Sequence, residues 1–382
     1  MIPKTASCIL KMKKHAMPEN SKTILVISLQ GIGDLLLTTP LIRALKTGIP
    51  DSNILVLTFK TNSLILAGNP YVDETIYIDY NNILKVSGLL LNLRRRKIDV
   101  SICAYPSGIR SAFLGYLSGA DVRLGQGFSL FNNYKWLFTG LTHITKVKHA
   151  ILMNLDFLGL LGVDKERAKK DPVLNILESE ERAAEEFLRE NGIRPESTLI
   201  GIHAGGGRFT QAYRSWSKEK FAQLSDLLLE KHRAEIVFIG GHEDEILVGE
   251  ITTTLRHKVI NAAGKLTLKQ TAALISKFRI LICNNSSPMH VAAALGIPTV
   301  SIFGSADTRI HRPWGENHIV LQKNLDCSPC YYPFFRDTLP ETKEKSRWFG
   351  KKLKCIKGNY ECISLIEVEE VYKAVEDILR KR

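Results

Sequence analysis

The sequence predicts an α/β protein made of two doubly wound, Rossmann-like domains that face a cleft. Three observations predict this. Short β-branched runs alternate with longer amphipathic stretches from Thr23 onward, the pattern of parallel βαβ units. The same rhythm restarts at Thr198, after a helix stop at Gly192 and a turn at Arg194-Pro195-Glu196-Ser197. A length of 382 residues suits two domains of ordinary size.

The elements follow in order. Residues 1–21 are basic and lack the apolar stretch of a secretory signal, so they are expected to be a disordered leader. Residues 22–194 form the first domain. Ile24–Leu29 reads as a buried strand, Asp34 to Lys46 as a helix, and Asn53–Phe59 and Thr75–Asp79 as strands. A helix from Asn82 to Arg95 ends in arginines, which suit a helix C-terminus, and Ile98–Tyr105 is a further strand. The segment from Gly125 to Val147 breaks the pattern and reads as an aromatic loop, followed by helices over His149–Leu161 and Ser179–Asn191. Residues 195–382 form the second domain. Its strands are Thr198–Ala204, Glu235–Gly241, Arg279–Asn284 and Pro298–Gly304. Its helices include Ser217 to Lys231, a capped helix after the Thr267/Gln270 pair, and one carrying His290.

Composition is that of a soluble globular protein, with 45% hydrophobic and 24% charged residues. Net charge is +13, which favours an anionic partner. No nucleic-acid motif accompanies the charge, so nucleic acid is not an expected partner. No apolar run approaches the roughly 18 residues that span a bilayer. A cytoplasmic protein is expected, with reversible contact at the inner face of a membrane.

Four stretches carry chemistry, each after a strand, where parallel sheets bind ligands. Gln30-Gly31-Ile32-Gly33-Asp34 allows a tight turn and puts an acid at a helix start; a plain helix cap is the bland alternative for Asp34. His203-Ala204-Gly205-Gly206-Gly207-Arg208 can turn backbone N–H groups toward phosphate, and Arg214 follows with a fork of donors suited to a diphosphate. Glu243 or Asp244 offers a carboxylate to ribose hydroxyls. Asn284-Asn285-Ser286-Ser287-Pro288-Met289-His290 leads into a helix start that attracts anions, with a buried structural histidine as the bland reading of His290. Neither half has the G-x-G-x-x-G fingerprint of a nicotinamide oxidoreductase.

The order and spacing of these stretches resemble glycosyltransferase family 9, the lipopolysaccharide heptosyltransferases of GT-B architecture. The resemblance runs from Thr23 to the C-terminal helix, and its most specific parts are Ile32–Lys46 and Ser287–Gly304. It implies an inverting transfer of heptose, from a donor such as ADP-heptose, onto a lipopolysaccharide core acceptor. The first domain then takes an anionic, lipid-linked saccharide and the second binds the nucleotide sugar. Asp34 falls on the general base. Gly33 belongs to the same loop, and Gly205 and Gly206 fall on phosphate-contacting positions. Arg214 stands where the family usually has a lysine at the diphosphate. Glu243 or Asp244 falls on the ribose acid, and Asn285, Ser286, Ser287 and His290 on the nucleotide-sugar loop. Two positions depart from the family's usual Asn-Asp-Ser-Gly-Pro: Asn285 carries no charge, and Ser287 replaces a glycine. No cofactor and no divalent metal is required by this chemistry. The alternatives are the same fold acting on another sugar or acceptor, in capsule or protein glycosylation, and a nucleotide-sugar-binding protein without catalysis.

Cys327, Cys330, Cys355 and Cys362 cluster near the end. Their spacing admits a tetrahedral zinc site, although six residues separate the second pair. Reduced thiols are the default in the cytosol.

Overall fold

The computed structural model describes residues 22–80, 83–127, 129–206, 215–330 and 357–381, with short pieces at 348–349, 352–353 and 355. The predicted leader 1–21 and Arg214 lie outside the described residues.

The first half contains β1 (Thr23–Ile27), α1 (Ile32–Leu36), α2 (Thr39–Gly48), β2 (Asn53–Phe59), β3 (Glu74–Ile78), α3 (Ile83–Arg95) and β4 (Val100–Cys103). It continues with α4 (Ile109–Leu117), β5 (Val122–Gln126), β6 (Gly140–Thr142), α5 (Ala150–Leu160) and α6 (Glu178–Glu190). The second half contains β7 (Thr198–His203), α7 (Lys218–Lys231), β8 (Ala234–Phe238), α8 (Glu245–Thr254), β9 (Ile260–Asn261) and α9 (Leu268–Ser276). β10 (Ile280–Asn284), α10 (Ser287–Ala294), β11 (Thr299–Phe303), β12 (His318–Gln322) and α11 (Val368–Arg380) are its further main elements.

Each half builds one six-stranded sheet, ordered β3-β2-β1-β4-β5-β6 and β12-β11-β10-β7-β8-β9. Neighbouring strands pair in parallel, with Ile24 opposite Ile54 and Val100 at the centre of the first sheet and Ile282 opposite Val300 and Ile202 in the second. The two sheets are doubly wound in the same sense. In each, the chain reverses direction beside the first strand, which opens a crevice at the carboxyl ends of β1 and β4 and again of β7 and β10. Central strands such as β10 are buried throughout, because helices cover both faces and only continuous apolar runs survive there.

Several elements differ from the sequence reading. The helix expected from Asp34 to Lys46 is two helices. Pro40, near the start of α2, has no N–H to continue the ladder, and the Thr38 and Thr39 hydroxyls donate back to the Asp34 and Leu36 carbonyls instead. β5 and β6 lie where no strand was expected. Arg123 and Gly125 dilute the β pattern of β5, and β6 has three residues. β9 and β12 add an edge to each side of the second sheet; the first is two residues long and the second is half-exposed throughout.

The core explains how the halves stay together. One apolar cluster runs through both, joining α5 and α6 to α9 and to the strands of the second sheet. α6 precedes the predicted boundary at 194/195 yet packs along α9 beyond it. Lys277 and Glu185 pair at 2.6 Å across this contact. The buried Lys269 ammonium donates to the carbonyls of Ala67 (3.2 Å) and Asn175. A separate cluster under α3 and α4 covers the other face of the first sheet, and α11 packs on the second sheet.

Candidate active site

The predicted base stands at the tip of β1. Asp34 is the third residue of α1, and its Oδ2 accepts the Gly31 N–H at 3.1 Å, so the carboxylate closes the turn that presents it. The side chain is half-buried. The loop is held from below. Asn62 donates to the Gln30 carbonyl. Asn154, wholly buried on α5, donates to the Leu37 carbonyl (3.4 Å) and accepts the Tyr105 N–H (2.7 Å). A cleft acid thus rests on a fixed backbone.

The opposite wall comes from three strand ends of the second sheet. His203 closes β7, and its Nδ1 meets the Ser286 hydroxyl at 3.0 Å. Its Nε2 lies 3.5 Å from Asp244 Oδ2. His203 and Asp244 are buried and Ser286 is half-buried, and they form a chain Ser286–His203–Asp244. Burial alone would raise the Asp244 carboxyl, but the hydrogen bond and charge of His203, with the Gly241 amide, hold it below the usual carboxylate value. Asp244 also fills the space beside the glycine loop. A Cβ on Gly205 would stand 2.1 Å from Asp244 Oδ1, and one on Gly240 would stand 2.7 Å from its Cβ, so both positions need glycine. Asn284, at the end of β10, ties the loop together: its amide donates to the Ala204 carbonyl at 2.7 Å and its oxygen accepts the Trp216 N–H at 3.0 Å.

The two walls touch. The Gly33 N–H donates to Ser287 Oγ at 3.3 Å across the cleft. A Cβ on Gly33 would lie 2.8 Å from the His290 ring, which explains the glycine in structural terms. His290 is buried, and its Nδ1 has no hydrogen-bond partner. Burial, with His149, His311 and His318 nearby, pushes its pKa down to about 3, so the ring is neutral near pH 7. His149 caps α5 by accepting the Ile151 N–H on Nδ1. This leaves Nε2 to donate to the Arg312 carbonyl of the other half at 2.9 Å. Its ring lies 4.8 Å from that of Trp314. Burial pushes His149 and His318 down to about 4.

An acid at one strand end therefore meets, over a cleft, a glycine loop and a polar helix start from a second doubly wound sheet. The comparisons with known proteins agree. Residues 88–333 match the glycosyltransferase family 9 (heptosyltransferase) profile. The chain belongs to glycosyltransferase family 9. Lipopolysaccharide heptosyltransferase 3 of Escherichia coli is 28% identical over 298 residues, covering 75% of this chain and 85% of the relative. A family 9 glycosyltransferase structure from Veillonella parvula superposes with a TM-score of 0.79 at 28% identity, covering 96% of this chain and all of that one. The structure of the E. coli ADP-heptose lipopolysaccharide heptosyltransferase II shares the fold, with a TM-score of 0.70 at 21% identity over 94% of this chain and 99% of that one. This family 9 chain is thus a glycosyltransferase with the expected GT-B architecture.

The predicted site residues of the family 9 enzyme gather as follows. Gly33, Ser287 and His290 form the cross-cleft contact, with Asp34 beside it. Gly205 and Gly206 are buried at the end of β7. Glu243 is exposed, whereas its neighbour Asp244 is turned inward onto His203. Asn285 is buried, and its backbone N–H donates to the Ile302 carbonyl. His203 and Asn284 were not among the residues singled out as binding. Their partners lie 83 and 80 residues away along the chain, so no local pattern marks them. Among the described residues no group of three or more His, Cys, Asp or Glu side chains is arranged to hold a metal ion. The Cys362 thiol rises to about 11, mainly through burial and then through Cys355 and Cys327. Among the described residues no helix is long and apolar enough to cross a membrane.

Proposed function

We propose that the enzyme transfers a heptosyl group, from ADP-heptose, onto a lipopolysaccharide core acceptor with inversion at the transferred carbon. The observation that carries this reading is the Gly33–Ser287 hydrogen bond, which sets the Asp34 loop directly against the polar stretch Asn285–His290. The family supplies the chemistry; the lipopolysaccharide heptosyltransferases among its relatives supply the sugar and acceptor class.

In this reading the acceptor hydroxyl sits between Asp34 and the donor's anomeric carbon. Asp34 takes the hydroxyl proton as the new C–O bond forms. The bond from the anomeric carbon to the phosphate oxygen breaks on the opposite side, and the nucleoside diphosphate leaves with the electron pair. Backbone N–H groups at Gly205 and Gly206, the start of α10 after Ser286, and Arg214 stabilise that charge. Glu243 serves the ribose hydroxyls, because Asp244 is already engaged by His203. Asp244, His203 and Asn284 hold the loop that carries these donors. Asn285, Ser286, Ser287 and the neutral His290 line the donor side. No step needs a metal or a cofactor. The acceptor is anionic and lipid-linked, so the enzyme works on the cytoplasmic face of the inner membrane in reversible contact with it.

The test is to incubate the protein with ADP-heptose, or with other nucleotide sugars, and a truncated core acceptor. Mass spectrometry of the acceptor should show the gain of one heptosyl unit with ADP-heptose. Transfer from another nucleotide sugar and none from ADP-heptose would overturn the donor assignment.

A further inference from the structure

We propose that the outer face of α3, α4 and the helical turn Ser129–Leu137 is a docking surface for an anionic phospholipid bilayer. This inference rests on the lipid-linked acceptor proposed above, and it names the surface that meets the membrane.

The first observation is a cluster of exposed rings. Phe113 and Tyr116 on α4 stand beside Tyr134 and Trp136. Phe113 meets Tyr134 and Trp136 at centroid distances of 6.2 Å, and Tyr116 meets Trp136 at 5.3 Å, all edge to face. Trp136 is 58% exposed and Tyr116 42%. Leu84 and Leu91 lie seven residues apart on α3, so they share one stripe, and they are 77% and 59% exposed. The inward residues of the same elements, Leu93 and Leu114, are buried against Leu25, Ile27, Leu55 and Leu57. Packing within the fold is therefore already satisfied, and the outward rings and leucines face solvent.

The second observation is charge. Residues 81–148 hold ten lysines and arginines against two acidic residues; Lys85, Arg96 and Lys148 pair with Asp79, Glu74 and Asp156 outside that stretch, which leaves a net +5. The charge is threaded among the rings. Arg123 lies 5.5 Å over Tyr116, and Arg94 donates to the Leu117 carbonyl at the end of α4. Arg95 and Lys135 are exposed.

Amphipathic rings with basic neighbours match the chemistry of a bilayer surface. Trp and Tyr favour the headgroup level, and Lys and Arg are drawn to anionic lipid. A purely polyanionic partner has no use for the leucine stripe, and an apolar protein partner has none for the exposed basic side chains. α3 and α4 cover, through Leu93 and Leu114, the face of the first sheet opposite the core shared with the second half, and the buried residues of this surface's elements that reach that core are Ala112 and Leu137. Docking there leaves the seam between the halves unobstructed.

Flotation of the full chain with phosphatidylcholine vesicles, with and without phosphatidylglycerol, tests this. The vesicles contain no saccharide, so the result is independent of the donor and acceptor assignments. Capture is expected on the anionic vesicles and not on the neutral ones, with release at high salt. A variant with Tyr116→Ser and Trp136→Ser, and another with Arg95→Glu and Lys135→Glu, should each lose capture by about tenfold or more. Both should keep the wild-type melting temperature and wild-type turnover on a soluble acceptor. Residues 1–21 are present in every variant, so loss of capture reads this face. Equal capture of wild type and both variants, or no preference for anionic vesicles, would overturn the proposal. So would a dimer in solution that the Tyr116→Ser/Trp136→Ser variant abolishes, which would assign the rings to a second copy of the chain.

Discussion

Asp34 and Asp244 are built alike and end in different environments. Each is the third residue of a short helical turn after a strand, and each accepts the N–H of the glycine three residues earlier, Gly31 and Gly241, at 3.1 Å. Asp34 stays half-buried at the cleft. Asp244 is buried behind the glycine loop and committed to His203. The same local cap thus yields an acid beside the seam in one half and an internal strut in the other. Burial and the partner decide the role, and the local sequence pattern does not.

The largest expected effect separates the two acids in rate. Asp34→Asn should lower the transfer rate by about 10²–10⁴ with little change in melting temperature, since it removes the proposed base and keeps a cap. Asp244→Asn should retain most of the rate at saturating donor. Steady-state kinetics on both variants breaks the comparison if their losses in rate are equal.

The order reverses for stability. Asp244→Ala strips His203 and the Gly241 amide of a buried partner and should cost about 1–3 kcal/mol, whereas Asp34→Ala should cost about 1 kcal/mol as a lost cap. Urea denaturation measures both, and a larger loss at Asp34 would contradict the assignment.

Acid sharpens the contrast between cleft and seam. His290, His149 and His318 have folded pKa values of about 3, 4 and 4, below the ordinary 6.5. The unfolded chain therefore binds more protons between these values. The stability these groups contribute is complete above about pH 6.5 and is lost as pH falls toward 4, at up to about 1.4 kcal/mol per unit for each histidine. Thermal melts from pH 7 to 4.5 should show a steep fall, and His149→Gln should flatten it. A flat wild-type profile would mean that the histidines are not held neutral.

The smallest effect belongs to the cross-cleft hydrogen bond. Ser287→Ala removes the acceptor of the Gly33 N–H and should cost about 0.5–1.5 kcal/mol, with a few-fold loss in transfer rate. A wild-type rate and melting temperature in this variant would show that the contact positions nothing.

Much of this was legible in the sequence, because the central strands are long apolar runs and the loops after β1, β7 and β10 are rich in glycine and small polar residues. The edges were not. β6 and β9 are too short to show a period, and Arg123 and Gly125 break that of β5. Asp34 could be read locally because its cap, turn and strand are contiguous. The inward turn of Asp244 could not, because it depends on His203, 41 positions earlier, and on the space left by Gly205 and Gly240.

The most direct test of the central claim is calorimetric binding of ADP-heptose to Asp34→Asn. If Asp34 acts on the acceptor hydroxyl and makes no donor contact of consequence, the dissociation constant should stay within about twofold of wild type while transfer is lost. A weakening of about tenfold or more, about 1.4 kcal/mol, would place Asp34 in the donor site and contradict the account.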